Sequence, residues 1–524
     1  MTTGFNAFLQ ALRQRFCASP TEAIAVLGHP YVTQDPRHRW MWIGLRPTDE
    51  ISLKQSQLKA YGQFQSVEDP VRLEKLLRVL WSPKQTLARD HWQSSDPLGL
   101  LDHWPDDAPL AGGWVGFVGY EFARWLEPAL GPAVSAQEDA EFPELQFWQF
   151  EDWLLCDVNA PETLWVATPN AARRTAYRQL WQACRPWLPL AEENHLAPTT
   201  TPMAVSSQAM PELAEGCQAS FTPEAFERAV EQIQQHIRVG NLYQANLSLR
   251  FRQPVASLCP IQTYAYLCQH NPSPFSALLC WQGSAIVCNS PERLVAMDAK
   301  GRLSTRPIAG TRGRGQTPDE DERLGLSLLN NSKERAEHLM LVDLARNDLG
   351  RLCLPGSVRV DELLTLERYS HVTHLVSNVV GQARAGVDAW DVLQALFPGG
   401  TITGCPKIRC METLLSLEPV PRGPYTGAIG YICPQTGALD FNIVIRSLFL
   451  SPVPWRQDAC PDFGYNATIH AGAGIVADSV AVQEYRECLR KAAVLLGALN
   501  LHDGVSSVYR SDSQFCQPIG GERY

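Results

Sequence analysis

FTPEAFERAVEQIQQHIRVGNLYQANLSLRF, residues 221 to 251, changes its hydrophobic period halfway along. Up to Ile237 the apolar residues fall at helical spacing, on one stripe. Thr222 stands in the N-cap place, Pro223 occupies the first helical position, and Gly240 follows as the stop. LYQANLSLRF then alternates apolar and polar residues, as a half-buried strand does. Beyond it, strands and long helices succeed one another without a regular βαβ rhythm. That pattern predicts an α+β fold, a sheet-and-helix sandwich, over a doubly wound sheet.

Upstream lies LPLAEENHLAPTTTPMAVSSQAMPELAEG, residues 188 to 216, rich in Pro, Ala, Ser and Thr and without periodicity. It reads as a linker or excursion, taken as residues 188–219. It separates an N-terminal region, 1–187, from a second region, 220–500, with a polar tail over 501–524. In the N-terminal region GGWVGFVGYEFARWL, residues 112 to 126, mixes strand and helix character. The length of 524 residues calls for two structural units or one large composite fold.

Bulk composition removes several functions. Hydrophobic residues at 45% and charged residues at 19% are those of a soluble globular protein. A net charge of −10 argues against general nucleic-acid binding, which needs excess Lys and Arg to neutralise phosphates. No apolar run reaches the roughly 18 residues of a membrane span. MTTGFNAFLQALRQRF lacks the apolar core and small-residue cleavage site of a secretory signal. Fifteen cysteines, none in a CxxC pair, suit reduced and mostly buried thiols in a cytoplasmic protein.

Two helices carry paired acids. SKERAEHLMLVDLARNDLG, residues 332 to 350, puts Glu334 and Glu337 on one face. AVQEYRECLRKAAVLLGAL repeats the device with Glu484 and Glu487 and adds Lys491 four residues on. Two such pairs could converge on a hard divalent cation, which prefers oxygen ligands. The same spacing suits two solvated faces paired locally with Lys333, Arg335 and Arg486. AGAGIVADS, residues 471 to 479, reads as a glycine-rich turn whose N–H groups could hold a carboxylate. PGGTITGCPK, residues 398 to 407, fails as a phosphate loop because its spacing is wrong and Pro406 precedes the lysine. His371 and His374 lie in an apolar strand pattern, where a histidine serves in acid–base chemistry or simply in the core. LSTRPIAGTRGRG, residues 303 to 315, reads as a loop that offers arginines and glycines to an anion, with Ala309 in its midst.

Taken together, these segments resemble the chorismate-utilising enzymes, the family of the anthranilate, aminodeoxychorismate, isochorismate and salicylate synthases. The resemblance is dense from about 220 to 497, through SPERL, RPIAGTRGRG, KERAEHLMLVDLARNDLGR, YSHVTHLVSNV, FPGGTITGCPK, GAIGY and HAGAGIVADS. It is looser in the N-terminal half, through GGWVGFVGYEFAR. It implies the sheet-and-helix sandwich of the anthranilate synthase component I type, and chorismate as substrate.

The resemblance also implies roles. Mg²⁺ would fall to Glu337 and Glu487, with Glu334 and Glu484 supporting it. Such an ion neutralises the ring carboxylate as the C4 hydroxyl leaves. Glu292 would be the general acid for that hydroxyl. His374 and Thr401 would line the ring pocket, and Gly310 and Thr311 would bring the arginine-bearing segment into it. Tyr425, Arg446 and the backbone of Gly472, Ala473 and Gly474 would hold the enolpyruvyl carboxylate, Arg446 through charge-assisted hydrogen bonds. Lys491 would meet the ring carboxylate. Gln244 stands where water-using members carry lysine, so ammonia is the implied nucleophile. A separate glutamine amidotransferase subunit would supply it, since no such domain is present here.

Two ammonia-using branches remain. Ala309 is typical of anthranilate formation, whereas many members that aminate C4 carry lysine there. Against that, the tryptophan-binding LLES-like element of the anthranilate branch is replaced by AVLGHPYVTQDPRHRW, with Gly28 and His29 in place of Glu and Ser. YQANLSLRF, NPSPFSALL, GGTITG and LDFNIVIRSL also resemble the branch that forms aminodeoxychorismate. The expectation is C4 amination, with anthranilate formation as the alternative.

Overall fold

The computed structural model describes residues 2–17, 22–28, 39–82, 112–130, 141–158, 164–184, 216–256, 258–315, 317–368, 372–453 and 464–505. The expected linker lies outside the described residues up to 215, as do His29 and His371. The last helix, Ala481–Val505, runs across the start of the expected tail, whose remainder from 506 is also outside them.

The described strands join in one antiparallel hydrogen-bonded network. Its spine is a ribbon of two long strands, Trp40–Lys54 and Leu145–Asp157, paired along their whole length. The ribbon bends at a register shift between Pro47 and Asp49, next to Arg46 at φ 60°. Each half of the ribbon starts a wing. The first runs through Ile24–Leu27, Phe275–Trp281, Ser284–Ser290, Ser447–Pro452 and Tyr465–Ile475 to Gln244–Val255. The second runs through Trp114–Val118, Ala428–Ile432, Leu439–Asn442, Arg293–Met297 and Arg302–Thr305 to Val372–Gln382.

Both faces of each wing are apolar, and strand alternation decides which side chain goes where. Ala25, Trp42, Trp148, Trp281, Phe117 and Tyr431 point into a layer between the wings. The rings of that layer interlock, with Trp148 5.4 Å from Trp281 and Trp42 4.7 Å from Tyr431. Ile24, Val26, Met41 and Ile43, one residue off in register, pack outward beneath helices. The helices Thr2–Phe16, Ala171–Cys184, Pro223–Arg238, Pro260–His270 and Ala481–Val505 cover the first wing. Pro70–Leu80 and Ala389–Leu396 cover the second. The expected sheet-and-helix sandwich is the observed one. No helix among the described residues is long and apolar enough to cross a membrane.

The opening stretch folds as read. Thr222 caps Pro223–Arg238 by accepting from the Ala225 N–H, and Gly240 follows at φ +79°. Two local readings are corrected. Residues 471 to 475 belong to the Tyr465–Ile475 strand, and only the residues after them turn toward the last helix. The glycines are there to admit neighbouring side chains, as described below, and Gly472 and Gly474 keep ordinary strand φ. The middle of the arginine-bearing segment is likewise a strand, Ile308–Gly313, paired with Val372–Gln382. A register shift between Ala309 and Thr311 places Gly310 at φ +71°, so a bulge and not a loop aims this segment.

Candidate active site

The site forms where the far ends of both wings meet the two acidic helices. SPERL turns between two strands of different wings and buries Glu292, which is 5% exposed. Ser290 fixes that turn: its hydroxyl donates to the Ile443 carbonyl at 2.6 Å and accepts from the Glu292 N–H at 3.2 Å. Thr401 Oγ1 donates to Glu292 Oε1 at 2.8 Å. Burial pushes the Glu292 carboxyl up to about 7, against the pull of Thr401, the Ile308 backbone and Lys491. A carboxyl poised there can give a proton near neutrality.

Across the pocket, cross-strand partners Thr311 and His374 meet with Thr311 Oγ1 2.9 Å from His374 Nδ1. Burial and then the positive charge of Arg446 press His374 down to about 4, so its ring is neutral at ordinary pH. The bulge brings Gly310 against the first acidic helix: a Cβ on it would lie 2.8 Å from Glu334 Oε2. Glu334 also faces Arg312, whose Nη1 is 3.4 Å from Oε1. Ala309, 7% exposed, lies beside it on the same strand.

Gln244 opens the Gln244–Val255 strand and its Nε2 donates to Glu337 Oε1 at 2.6 Å. Burial raises the Glu337 pKa, and the negative charges of Glu334 and Glu487 raise it further. On the second acidic helix, Lys491 pairs with Glu487 at 2.7 Å and donates to the Gly472 carbonyl at 2.9 Å. Lys491, Arg490 and Arg446 outweigh burial at Glu487, and its pKa is lowered. Glu484, one turn earlier, is raised by burial and hydrogen-bonded to Ser479.

Gly472 and Gly474 make room for these groups. A Cβ on Gly474 would lie 2.7 Å from Gln244 Nε2, and one on Gly472 would lie 2.2 Å from Asn246 Oδ1 and 2.9 Å from Tyr425 Oη. Ala473, between them, buries its methyl on the opposite face in the helix-covered core and offers the pocket only its backbone. Tyr425 is buried, stacked on His470 at 4.9 Å, and burial raises its phenol pKa. Arg446, held at φ 53°, feels Tyr425 and Glu487, while burial lowers its pKa.

The residues to which the resemblance gives roles are thus linked by these contacts and charges into one cluster, whereas His371 lies outside the described residues and Gly28 packs against Trp40 and Met41. The cluster's chemistry is acids on one side and cationic or N–H groups on the other. The acidic side offers half-buried oxygen donors that raise one another's pKa, which suits a hard cation. Among the described residues no three His, Cys, Asp or Glu side chains are close enough to hold an ion unaided. Mg²⁺ fits such a set, since it takes one or two carboxylates and completes its shell with water and substrate oxygens. The sequence reading missed Asn246 and Arg422. Asn246 was legible in principle, two residues from Gln244 and so on the same strand face. Arg422 carried no local signal.

With this fold and cleft, the chain belongs to the chorismate-binding enzymes: the family model described as chorismate binding enzyme matches residues 30–497. Aminodeoxychorismate synthase component 1 of Bacillus subtilis is 43% identical over 426 residues, covering 79% of this chain and 84% of that protein. Anthranilate synthase component 1 of Thermus thermophilus is 39% identical over 473 residues, covering 90% of this chain and 91% of that one. Among solved structures, anthranilate synthase component I from Streptococcus pneumoniae superposes with a TM-score of 0.65 at 29% identity, covering 89% of this chain and 94% of that one. The menaquinone-specific isochorismate synthase MenF of Escherichia coli shares the fold, with a TM-score of 0.60 at 17% identity and coverage of 92% and 89%.

Proposed function

We propose that this chain is the chorismate-converting component of an aminodeoxychorismate synthase. It exchanges the C4 hydroxyl of chorismate for an amino group taken from ammonia, releasing water. The observation that carries the reading is at Gly28. In anthranilate synthases the corresponding element supplies an acid and a hydroxyl to tryptophan. Here the backbone stands at φ +95°, and a Cβ would lie 2.7 Å from the Trp40 carbonyl oxygen. A side chain at that place would be strained by its φ and pressed against the backbone. The 43% identity to the Bacillus subtilis synthase supports the same branch.

The residues divide the work. Arg446 and Tyr425, with the N–H groups of residues 472 to 474, hold the enolpyruvyl carboxylate. Lys491, kept in place by Glu487 and the Gly472 carbonyl, meets the ring carboxylate. Glu337 and Glu487, with Glu334 and Glu484 behind them, would hold Mg²⁺, which would supply charge neutralisation for that carboxylate. Glu292, protonated below about 7, gives its proton to the leaving hydroxyl while Thr401 steadies the other end of the carboxyl. Neutral His374, hydrogen-bonded to Thr311, lines the ring face.

Gln244 decides the nucleophile. Its amide has no basic nitrogen to take a proton from water, whereas ammonia attacks without such help. A glutamine amidotransferase partner delivers that ammonia. At Ala309 there is no amine to bond C2, so C4 is aminated without a covalent link to this position.

Anthranilate formation is the second reading, favoured by Ala309 itself and by the 39% identity to the Thermus thermophilus synthase. Purified chain, chorismate, Mg²⁺ and ammonium salt decide between them, with and without added aminodeoxychorismate lyase. Lyase-dependent 4-aminobenzoate is the expected product. Fluorescent anthranilate with pyruvate, formed without lyase, would overturn the proposal.

A further inference from the structure

The floor of the cleft holds a buried charge that the chemistry above does not use. Arg422 is 2% exposed, and every arm of its guanidinium is engaged. Nε donates to Glu418 Oε2 at 2.9 Å and Nη2 to Glu418 Oε1 at 2.7 Å. Nη2 also donates to the Asn246 carbonyl at 2.6 Å, and Nη1 to the Ile402 carbonyl at 3.0 Å. Its plane lies 4.6 Å from the Tyr120 ring and 6.0 Å from the Tyr425 ring. Its backbone N–H donates to Glu121 Oε1 at 2.8 Å.

These partners are the supports of the site. Ile402 follows Thr401, whose hydroxyl fixes Glu292. Asn246 lies on the strand that presents Gln244. Tyr425 is a wall of the carboxylate grip. Tyr120 and Glu121 belong to the N-terminal GYEFAR segment, which Arg422 meets with both its guanidinium and its backbone N–H. A planar, five-donor guanidinium can serve all of these directions at once, whereas an ammonium group cannot.

We infer that Arg422 is a positioning residue, holding the Thr401 segment, the Gln244 strand and Tyr425 at the spacing the substrate requires. The inference rests on the reading of this cleft as a chorismate site. A merely structural ion pair with Glu418 would need only its charge, and that distinction sets the test.

Arg422→Lys keeps the charge opposite Glu418 but loses the fork. The measurement is kcat and KM for chorismate in the ammonia-dependent assay, beside the thermal midpoint. Expected is a midpoint close to wild type with a fall in kcat/KM of roughly 10²-fold, the cost of misplacing reacting groups by about 1 Å. Both parameters move, KM through Tyr425 and kcat through Thr401 and Glu292. Should Arg422→Lys not fold, the double variant Arg422→Met/Glu418→Gln removes the buried pair together, a change that cores tolerate. The same loss is expected of it. A folded variant with wild-type kcat and KM overturns the inference about Arg422. The wild-type control in the same assay tests the chorismate reading separately, through its own amine product.

Discussion

Gln244 Nε2 and Glu337 Oε1 meet across 2.6 Å, amide donor to carboxylate acceptor. The bond orients both groups: the carboxylate demands the amide nitrogen, so Gln244 Oε1 faces away, buried and without a hydrogen-bond partner among the described residues. Glu337 is already raised by burial and by two neighbouring acids, and this bond, ahead of the charge of Lys333, pulls it back. Gln244→Leu removes the pull. Glu337 is then expected to take up a proton more readily and to serve a cation less well. A hydrogen bond to a charged group contributes about 1.5–3 kcal/mol. The Mg²⁺ concentration for half-maximal activity should therefore rise roughly tenfold or more, read from a metal titration at saturating chorismate. An unchanged titration would dissociate Glu337 from the ion.

As the proposed general acid, Glu292 is expected to govern the pH dependence. Its active form is the protonated one, and its carboxyl stands at about 7. At a fixed concentration of free ammonia, kcat is expected to be level below that pH and to fall about tenfold per unit above it. Thr401→Val removes an interaction that lowers this pKa, so the break should move to higher pH. A break that stayed put would assign the proton to another group.

The same residue should show a conflict between stability and function. A carboxyl raised from 4.5 to about 7 on folding stabilises the native state fully below 4.5 and loses that contribution as pH rises through about 7. Above it the ionised form costs about 3 kcal/mol relative to a neutral isostere. Glu292→Gln is expected to raise the thermal midpoint at pH 8 and leave it nearly unchanged at pH 4. Its kcat should fall by about 10²-fold or more.

Two buried histidines act in the opposite sense. Burial presses His338, which lies 2.6 Å from Ser377 Oγ, and His374 each down to about 4. Groups with depressed folded pKa values contribute stability above their unfolded pKa near 6.5, and lose it as pH falls toward 4. Melting curves between pH 7 and 4 should show the midpoint dropping. His338→Gln should flatten that drop without the loss of turnover that His374→Gln brings.

How much of this was legible followed from the range of each interaction. The helix beginning at Pro223 could be read whole because its cap, its proline and its stop are local signals. So could the acid pairs, because helical spacing fixes which residues share a face. The glycines at 472 and 474 misled as a turn, since a glycine needed for close approach carries the same letter as one needed for φ > 0. Which strand lies alongside was not written nearby: Gly474 pairs with Asn246, more than two hundred residues earlier. Arg422 was silent for the same reason, three of the segments it joins, at 120–121, 246 and 402, lying well away from it in the chain. Family resemblance, rather than pattern, supplied the roles.

Those two glycines allow the halves of the cleft to be separated. Both lie in regular strand, so alanine brings no φ penalty at either, and the fold should survive. Gly474→Ala would set a methyl 2.7 Å from Gln244 Nε2 and 3.8 Å from Glu337 Oε1. It should break the bond between them and raise the Mg²⁺ requirement, as Gln244→Leu does. Gly472→Ala would set one 2.2 Å from Asn246 Oδ1 and 2.9 Å from Tyr425 Oη. It should push the carboxylate grip aside and raise KM for chorismate by roughly 10-fold to 10²-fold, with little change in the metal titration. The two variants differ by one methyl placed two residues along one strand. If their kinetic signatures coincide, the division into a metal side and a carboxylate side is wrong. If they part as described, the cleft is built in that order.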